Sequence, residues 1–235
     1  MEISTKTLLE LAFSAYRVNQ GYEKSTQRFS EGQPARYSNK ELVTYSAYYY
    51  TQKDTESNFK MWIPEDFVPL TVTNDDREAK AAAEKHMRRY TMLALGKLSD
   101  FENDMFTAYS SEVMPIKRVG LVAYLPEFVN RELREKAYQA RLKQEFADSK
   151  HITEDRIQGN CEILKVIRVS RDFEDTFYMH IGAINGNLIS FCKKEGFAEG
   201  AVYTITAKTK AQDQERETNL PMTRINYVKL QKTEA

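Results

Sequence analysis

GNCEILKVIRVS (159–170) opens the part of the sequence that decides the fold, and four more runs of similar character follow it. They are TFYMHIGAI (176–184), NLISFC (187–192), AVYTITAKTK (201–210) and TRINYVKL (223–230). Branched and aromatic residues dominate these runs, and such residues favour extended backbone. Asn185 and Gly186 separate the second run from the third, and both residue types tolerate the positive φ of a tight hairpin turn. The sequence therefore predicts five short strands between Ile157 and Leu230.

The run KKEGFAEG (193–200) interrupts the strands, because it is polar and contains two glycines. We interpret it as a turn of helix followed by a loop. Three strands, a short helix and two further strands form an order that resembles the OB-fold family. The resemblance covers about the last third of the chain. It implies a small closed barrel that binds single-stranded nucleic acid or oligosaccharide across its second and third strands, flanked by the loops after the first and fourth. It implies neither a catalytic motif nor a cofactor.

The chain has 235 residues, of which 41% are hydrophobic, and this is enough for one large domain or two small ones. We predict an α+β protein: a mostly helical domain at 1–150, with a flexible loop at 21–40, and an OB-fold domain at 151–235. No apolar run approaches the roughly 20 residues that a membrane-spanning helix needs. MEISTKTLLELAF (1–13) lacks the basic start and cleavage site of a signal peptide. We therefore expect a cytoplasmic protein without membrane contact.

Apolar residues recur at helical spacing through the first 150 residues. The strongest helix is predicted at 74–96, where Thr73 or Asn74 supplies the cap and acidic residues follow in the first turn. Ser99 and Glu102 have the spacing of a capping box for the next helix. Further helices are predicted at 5–20, 41–52, 98–111 and 127–148. The apolar run 119–125 predicts a short strand instead, with Pro126 beginning the helix that follows.

Charge is balanced, with 34 basic and 34 acidic residues, so the bulk charge gives no strong attraction to DNA or to a membrane. The positions of the charged residues are more informative than the net charge. Several basic residues lie on or beside the predicted strands of the barrel, whereas most acidic residues of this region lie in predicted loops. A folded barrel with this pattern is expected to have a basic face with acidic edges.

Alternation along the strands assigns side chains to the core or to the surface. If Met179 and Ile181 point inward, Tyr178 and His180 point outward. On the fourth strand, Tyr203 and its alternate neighbours are typical of core.

Exposed rings stack on bases, and exposed cations neutralise phosphates. The candidates for binding nucleic acid are Arg168, Arg171, Phe173, Tyr178, His180, Lys208, Lys210 and Arg224. An ordinary structural or solvated role stays open for each. Lys208 and Lys210 are expected to project together from the outer face of the fourth strand.

Two cysteines, Cys161 and Cys192, fall on the first and third predicted strands, where reduced core thiols are the ordinary interpretation. A zinc site needs more ligands at closer spacing. The three histidines are far apart in sequence and match no catalytic triad. We therefore predict neither a metal site nor a catalytic residue, and no enzymatic activity.

A second resemblance rests on layout and on a few segments of sequence. YSAYYYTQ (45–52) and WIPEDFVPLTVTNDDR (62–77), followed by the strand runs GNCEILKVIRVS and GNLISFCKK (186–194), resemble proteins of tailed bacteriophages that act in DNA replication or bind single strands. The resemblance implies a viral or bacterial protein of DNA replication or recombination, in the host cytoplasm if viral. Its partners would be single-stranded DNA or RNA, and a polymerase, helicase or nuclease.

Two other functions stay open. In the first, the barrel and the tyrosines of 45–50 contact another protein, so that the chain is an accessory factor that docks a replication or transcription enzyme. In the second, Glu65, Asp66, Glu78 and Lys80 resemble the pattern of a nuclease superfamily in which two carboxylates hold Mg²⁺ and a lysine assists the attacking water. That family places the second pair on a strand, whereas here it falls in a predicted helix.

Overall fold

A computed structural model describes residues 2–28, 35–54, 62–93, 98–170 and 176–230. The chain divides into two compact units, Met1–Leu133 and Arg134–Ala235. The fold is α+β, with helices in the N-terminal part and a closed five-stranded barrel in the C-terminal part, as predicted. Whether 1–150 and 151–235 are separate functional domains stays a prediction. No helix in the described ranges is long and apolar enough to cross a membrane.

The first unit is a group of helices beside a two-stranded antiparallel sheet. Its elements are β1 (Glu2–Ser4), α1 (Thr5–Val18), α2 (Asn39–Asp54), α3 (Asn74–Leu93), α4 (Asp100–Ser110), β2 (Val113–Pro115), a 3₁₀ turn (Ile116–Arg118) and the first part of α5 (Val119–Glu145). Leu8, Leu11 and Met87 are fully or almost fully buried in its core. The apolar periodicity of the sequence thus locates the buried faces of the helices.

Both predicted helix caps form. Thr73 accepts a hydrogen bond from the Asp76 N–H, and Asp76 accepts one from the Thr73 N–H. The Arg17 guanidinium also donates to the buried Asp76 carboxylate, at 2.8 and 3.0 Å, and this contact helps to hold the pKa of Asp76 below its usual value against the cost of burial. Ser99 and Glu102 form the reciprocal capping box of α4.

The strand predicted at 119–125 is wrong, because these residues form the first turns of α5. Val119, Val122 and Ala123 are buried on one side of the helix, with the spacing of three and four residues that a helix brings together. Pro126 lies inside α5 and not at its start. A short apolar run does not distinguish a buried helix from a strand, and here the helix is favoured.

The tyrosine-rich segment is partly core. Tyr48 is buried, and Tyr45 packs edge-on against Phe67 and Tyr37. Tyr37 also donates to Asp66 at 2.7 Å, and burial together with this contact raises the pKa of Tyr37 to about 12. In the predicted loop at 21–40, the described parts are irregular up to Asn39, and 29–34 lie outside the described residues.

The five strands of the second unit are β3 (Arg156–Ser170), β4 (Thr176–Ile184), β5 (Asn187–Lys193), β6 (Val202–Gln214) and β7 (Pro221–Leu230). They close in the order β3-β4-β5-β7-β6. All neighbours are antiparallel except β5 and β7, which pair in parallel. This closed barrel is compatible with an OB-like fold.

Local chemistry accounts for the barrel's turn and its interior. Asn185 and Gly186 have φ values of 50° and 76°, so the predicted hairpin turn forms between β4 and β5. Ile163, Ile189 and Ile205 are fully buried inside the barrel. Gly182 lies against β3, where a Cβ would come within 2.8 Å of the Cys161 sulfur and of the Glu162 carbonyl oxygen. Only glycine fits at this close approach of two strands.

The helix predicted at 193–200 is absent, and the described segment between β5 and β6 contains bends and a turn. Its glycines and charges favour a loop, and Phe197 is the one large apolar side chain in it. Phe197 is buried beside Phe191 and stacks on Tyr203, with ring centroids 4.7 Å apart. This loop therefore closes one end of the barrel with a side chain, without a helix. Tyr203 packs against the core as predicted.

Candidate nucleic-acid interface

One side of the barrel's outer surface is covered by the end of α5 within the second unit. Leu142 and Phe146 are buried against outward-facing apolar side chains of β4 and β5, which are Ile181, Ala183 and Leu188. The resemblance to OB-folds implies a ligand across these two strands. In this chain, part of that surface is occupied by the chain's own helix.

Ion pairs join the helix to the same side. Arg141 donates to both carboxylate oxygens of Glu162 on β3, at 2.9 and 3.0 Å, and Lys165 pairs with Glu135 at 2.6 Å. The Lys165 ammonium also lies 4.6 Å from the centre of the Tyr138 ring. Acidic residues on this side are therefore engaged by neighbouring cations.

A second surface, formed by β6 and by the parts of β3 and β7 that pair with it, is exposed and basic. Register places Arg156 opposite Lys208, and Lys208 opposite Asn226, so that these three residues form one row across three strands. The next row contains Gln158, Thr206 and Lys229. Neither row contains an acidic residue. We call this surface the outer cationic face, and define it by Arg156, Lys208, Lys210, Tyr227 and Lys229, all of which are exposed.

The four cations of the outer cationic face have no ion-pair partner in the described part of the chain. Lys208 and Lys210 are exposed, as predicted. Adjacent strands are about 4.8 Å apart, so the side chains of Arg156 and Lys208, which lie opposite one another, extend from neighbouring positions of the same surface. Such a pair attracts an anion with closely spaced charges, such as a chain of phosphates.

Tyr227 is the exposed ring of this face. Its side chain is 72% exposed, and its φ is 52°, in the left-handed region that tyrosine seldom adopts. The register between β6 and β7 shifts here, since Thr206 pairs with Lys229 but Lys208 pairs with Asn226. Tyr227 is therefore the extra residue of a β-bulge. The Lys208 ammonium lies 5.9 Å from the centre of its ring.

Arg224 is also exposed, but an acidic neighbour neutralises its charge. It forms an ion pair with Asp213 on β6, and the hydrogen bond from the Gln214 N–H, followed by this ion pair, lowers the pKa of Asp213. The structure thus separates Arg224 from the unpaired cations of the outer cationic face.

Arg168 and Tyr178 come together at the end of the barrel that Phe197 closes. Arg168 lies opposite Tyr178, and Tyr178 lies opposite Lys193, in one row across β3, β4 and β5. A Cβ at Gly196 would lie 3.6 Å from the Tyr178 ring, and the Lys193 ammonium lies 5.1 Å from the centre of the Phe197 ring. Arg168 is exposed, and Tyr178 is partly buried. This row is a smaller cationic and aromatic cluster.

The predicted outward orientation of His180 is wrong. His180 is 0% exposed, lies inside the barrel and stacks on Phe191, with ring centroids 4.8 Å apart. Its Nε2 accepts a hydrogen bond from the Phe197 N–H at 3.0 Å, so the ring is neutral with its proton on Nδ1. Burial lowers the pKa of His180, and the nearby Lys193 lowers it further. Such a side chain cannot stack on a base unless the barrel opens.

Ile181 points outward on the same strand, which is the reverse of the predicted alternation. Both faces of β4 are apolar because α5 covers the outer one, and alternation alone does not reveal which face is inside. The orientation of Cys192 was also predicted wrongly, since it is exposed on β5. Cys161 is buried, as predicted, and burial raises the pKa of its thiol to about 12. Arg171 and Phe173 lie outside the described residues.

The nuclease residues have other partners. Asp66 accepts from Tyr37, and Lys80 pairs with Glu84 one turn further along α3. Glu78 and Lys80 both lie in α3, as the sequence predicts. Among the described residues, no group of three or more His, Cys, Asp or Glu side chains is arranged to hold a metal ion.

Comparison with protein-family models, with curated proteins and with solved structures gives no significant match to this chain. The interface therefore rests on its own geometry.

The sequence-based candidates include Lys208 and Lys210, but they do not include three other members of the outer cationic face: Arg156, Tyr227 and Lys229. Arg156 lies just before the strands predicted between Ile157 and Leu230, whereas β3 begins at Arg156. Simple alternation along β7 places Tyr227 on the same side as the buried Ile225, and the bulge reverses this orientation. The sequence signal is their position, since Arg156 directly precedes the first predicted strand and Lys229 lies near the end of the last.

Proposed function

We propose that the barrel unit binds single-stranded nucleic acid, by neutralising phosphates and stacking on unpaired bases. The observation that supports this is the outer cationic face. Four cations without an ion-pair partner among the described residues lie on three neighbouring strands, although basic and acidic residues are equal in number over the whole chain. Segregation of charge on this scale attracts polyanions locally even when the net charge is zero.

The strand order supports a finer assignment, to the OB-fold. Five strands close with the third and fifth in parallel, and the first strand pairs with the second and the fourth. Barrels of this family bind oligonucleotides and oligosaccharides. Cations without acidic partners among the described residues favour an oligonucleotide, because it is the charged ligand of these two. No covalent chemistry is part of the proposal.

The segments that resemble phage replication proteins support a role in DNA replication or recombination. In that setting the ligand is single-stranded DNA, and a polymerase, helicase or nuclease is a partner protein. RNA offers the same phosphates and unpaired bases, so the test includes both.

The test is a titration of fluorescent single-stranded DNA and RNA over a range of salt concentrations. Each phosphate contact on a single strand contributes about 0.7 to the slope of log K against log salt. Replacing Lys208 and Lys210 together with alanine is therefore expected to reduce the slope by about 1.4 and to weaken binding at low salt.

Lys136→Ala with Lys143→Ala is the matched control, because it removes the same charge from exposed positions of α5. The control is expected to bind as the wild type does. Absence of binding to either oligonucleotide at low salt, with a folded protein, would overturn the proposal. An equal loss in the control and in the Lys208, Lys210 variant would overturn the assignment of the face.

A second candidate function, docking of another protein, is favoured by the first unit. Trp62 and Val68 are 71% and 78% exposed on the irregular segment before α3. Exposed tryptophan is enriched where proteins bind one another. Replacing Trp62 with alanine is expected to abolish a complex with a replication enzyme and to leave nucleic-acid binding unchanged, as measured by co-sedimentation and by the titration above.

A further inference from the structure

We propose that Tyr227 is the residue that makes the outer cationic face selective for unpaired bases over other polyanions. This inference rests on the proposed function, because the cations must first bind a nucleic acid. It adds a specific role, since cations alone attract a single strand, a duplex and any other polyanion alike.

The backbone of Tyr227 supports this role. A φ of 52° places it in a conformation where a β-carbon is disfavoured, and the extra residue of a bulge with this geometry is ordinarily glycine. The chain therefore has a tyrosine at a position where the backbone of a glycine would be less strained. Residues with backbone strain of this kind cluster at functional sites such as ligand-binding surfaces.

The environment of the ring gives no structural reason for a tyrosine. The side chain is 72% exposed and is not part of the buried clusters of the barrel. Within the described residues, its one ring contact is the Lys208 ammonium, and it forms no hydrogen bond through its hydroxyl. Its surface is therefore available to a ligand.

The bulge also sets where the ring stands. Without the extra residue, Tyr227 would follow the alternation of β7 and point inward, two residues after the buried Ile225. With it, the ring lies outside, beside the row of Arg156 and Lys208 and two residues from Lys229. Cations thus flank the ring on two sides. A nucleotide that stacks on the ring can place its two adjoining phosphates near these cations.

Stacking distinguishes single strands from duplexes. In a duplex, each base is already stacked on its neighbours, so its face is not available to a side chain. In a single strand, the base can turn onto the ring, and one stacking contact strengthens binding by about 5- to 150-fold. Tyr227 is therefore expected to contribute to the binding of single strands and to leave duplex binding unaffected.

The experiment compares Tyr227→Gly and Tyr227→Phe with the wild type. The probes are a fluorescent oligo-dT and a DNA duplex of the same length, each titrated over a range of salt concentrations. Tyr227→Gly is expected to weaken oligo-dT binding by about 5- to 150-fold, with the salt slope and the duplex affinity unchanged. Tyr227→Phe, which retains the ring, is expected to bind both probes as the wild type does. Glycine suits the bulge, so the urea midpoint of Tyr227→Gly is expected to equal or exceed that of the wild type.

Three results would overturn the inference. The first is a Tyr227→Gly variant with the wild-type preference for single strands. The second is an equal loss for both probes, which would indicate a structural role. The third is a Tyr227→Phe variant as weak as Tyr227→Gly, because the hydroxyl and not the ring would then be the contact. If the wild type binds neither probe, the proposed function itself fails, and this outcome is distinct from the other three.

Discussion

The two sides of the barrel's outer surface have opposite chemistry, although both consist of strands of one small unit. The side of β4 and β5 is apolar, and Leu142 of α5 and Phe146, directly after this helix, cover part of it. The side formed by β3, β6 and β7 is polar and cationic, and its rows of Arg156, Lys208 and Lys229 are exposed. In an OB-like barrel, the covered side is the one expected to bind.

The chain's own helix covers part of the side on which OB-folds ordinarily bind, so the proposed function assigns the ligand to the other side. The difference between the two sides also shows why a neutral chain can attract a polyanion. Glu162 and Glu135 are paired with cations on the covered side, and Asp213 is paired with Arg224. The open side keeps cations that no acid neutralises among the described residues.

The largest expected effect comes from the covered side. Leu142 lies on the side of α5 that packs against the barrel, and it is 0% exposed. Leu142→Ala removes buried apolar surface and leaves a cavity, so the free energy of unfolding is expected to fall by about 2–5 kcal/mol in urea denaturation. The affinity for single strands, measured below the unfolding transition, is expected to stay unchanged because the outer cationic face is untouched.

Val202→Ala is the matched control, since Val202 is 61% exposed at the start of β6. It is expected to change the free energy of unfolding by less than about 0.5 kcal/mol. If Leu142→Ala weakened nucleic-acid binding as strongly as the Lys208, Lys210 variant does, the two sides would not be functionally separate.

Local patterns predicted most of the barrel, because each of its strands had a signal of its own. The bounds of β4 were predicted in full, since Asn185 and Gly186 fix one end and branched residues fill the strand. It was harder to predict which face of each strand points into the barrel. The register between β3 and β4 shifts between Ile163 and Lys165, and a shift of one residue turns every later side chain to the other face.

Long-range contacts account for the remaining differences. Nothing near Ile181 in the sequence indicates that Leu142 covers it, so the outer face of β4 had the composition of a core. The bulge at Tyr227 has no glycine to indicate it. Pro126 is tolerated inside α5, although proline ordinarily marks the beginning or the end of a helix.

A smaller effect is expected at His180, whose buried ring lies in the interior that both sides share. Its pKa is lower in the folded chain than in the unfolded one, chiefly because of burial. The unfolded chain therefore binds the proton more readily, and stability is lost as the pH falls below the ordinary histidine value of about 6.5. The loss is at most about 1.4 kcal/mol per pH unit.

His180→Gln is the comparison, because its carbonyl oxygen can accept the Phe197 N–H without titrating. Urea unfolding of both proteins between pH 8 and pH 5 measures the difference, and effects of the carboxylates cancel. Wild type is expected to lose more stability than His180→Gln over this range. Parallel profiles would show that protonation of His180 is not linked to unfolding.

Arg224 tests whether exposure alone makes a cation part of the interface. It is on the same strand as Tyr227, but Asp213 already neutralises it. Arg224→Ala is expected to leave the salt slope for oligo-dT within about 0.3 of the wild type, whereas one unpaired lysine contributes about 0.7. A reduction as large as that of Lys208→Ala would place Arg224 within the contact surface.

The smallest expected effect is at Cys192, which is exposed on β5 opposite Met179, on the side of β4 and β5. A thiol reagent is expected to modify Cys192 in the native protein. Cys161 is expected to react only on unfolding, because it is buried and its thiol pKa is raised to about 12. If the nucleic acid binds on the outer cationic face, saturating oligo-dT is expected to leave the rate at Cys192 unchanged. Cys192→Ser gives the background rate of modification by the thiol reagent. Protection of Cys192 by oligo-dT would indicate that the ligand binds on the side of β4 and β5 and not on the outer cationic face.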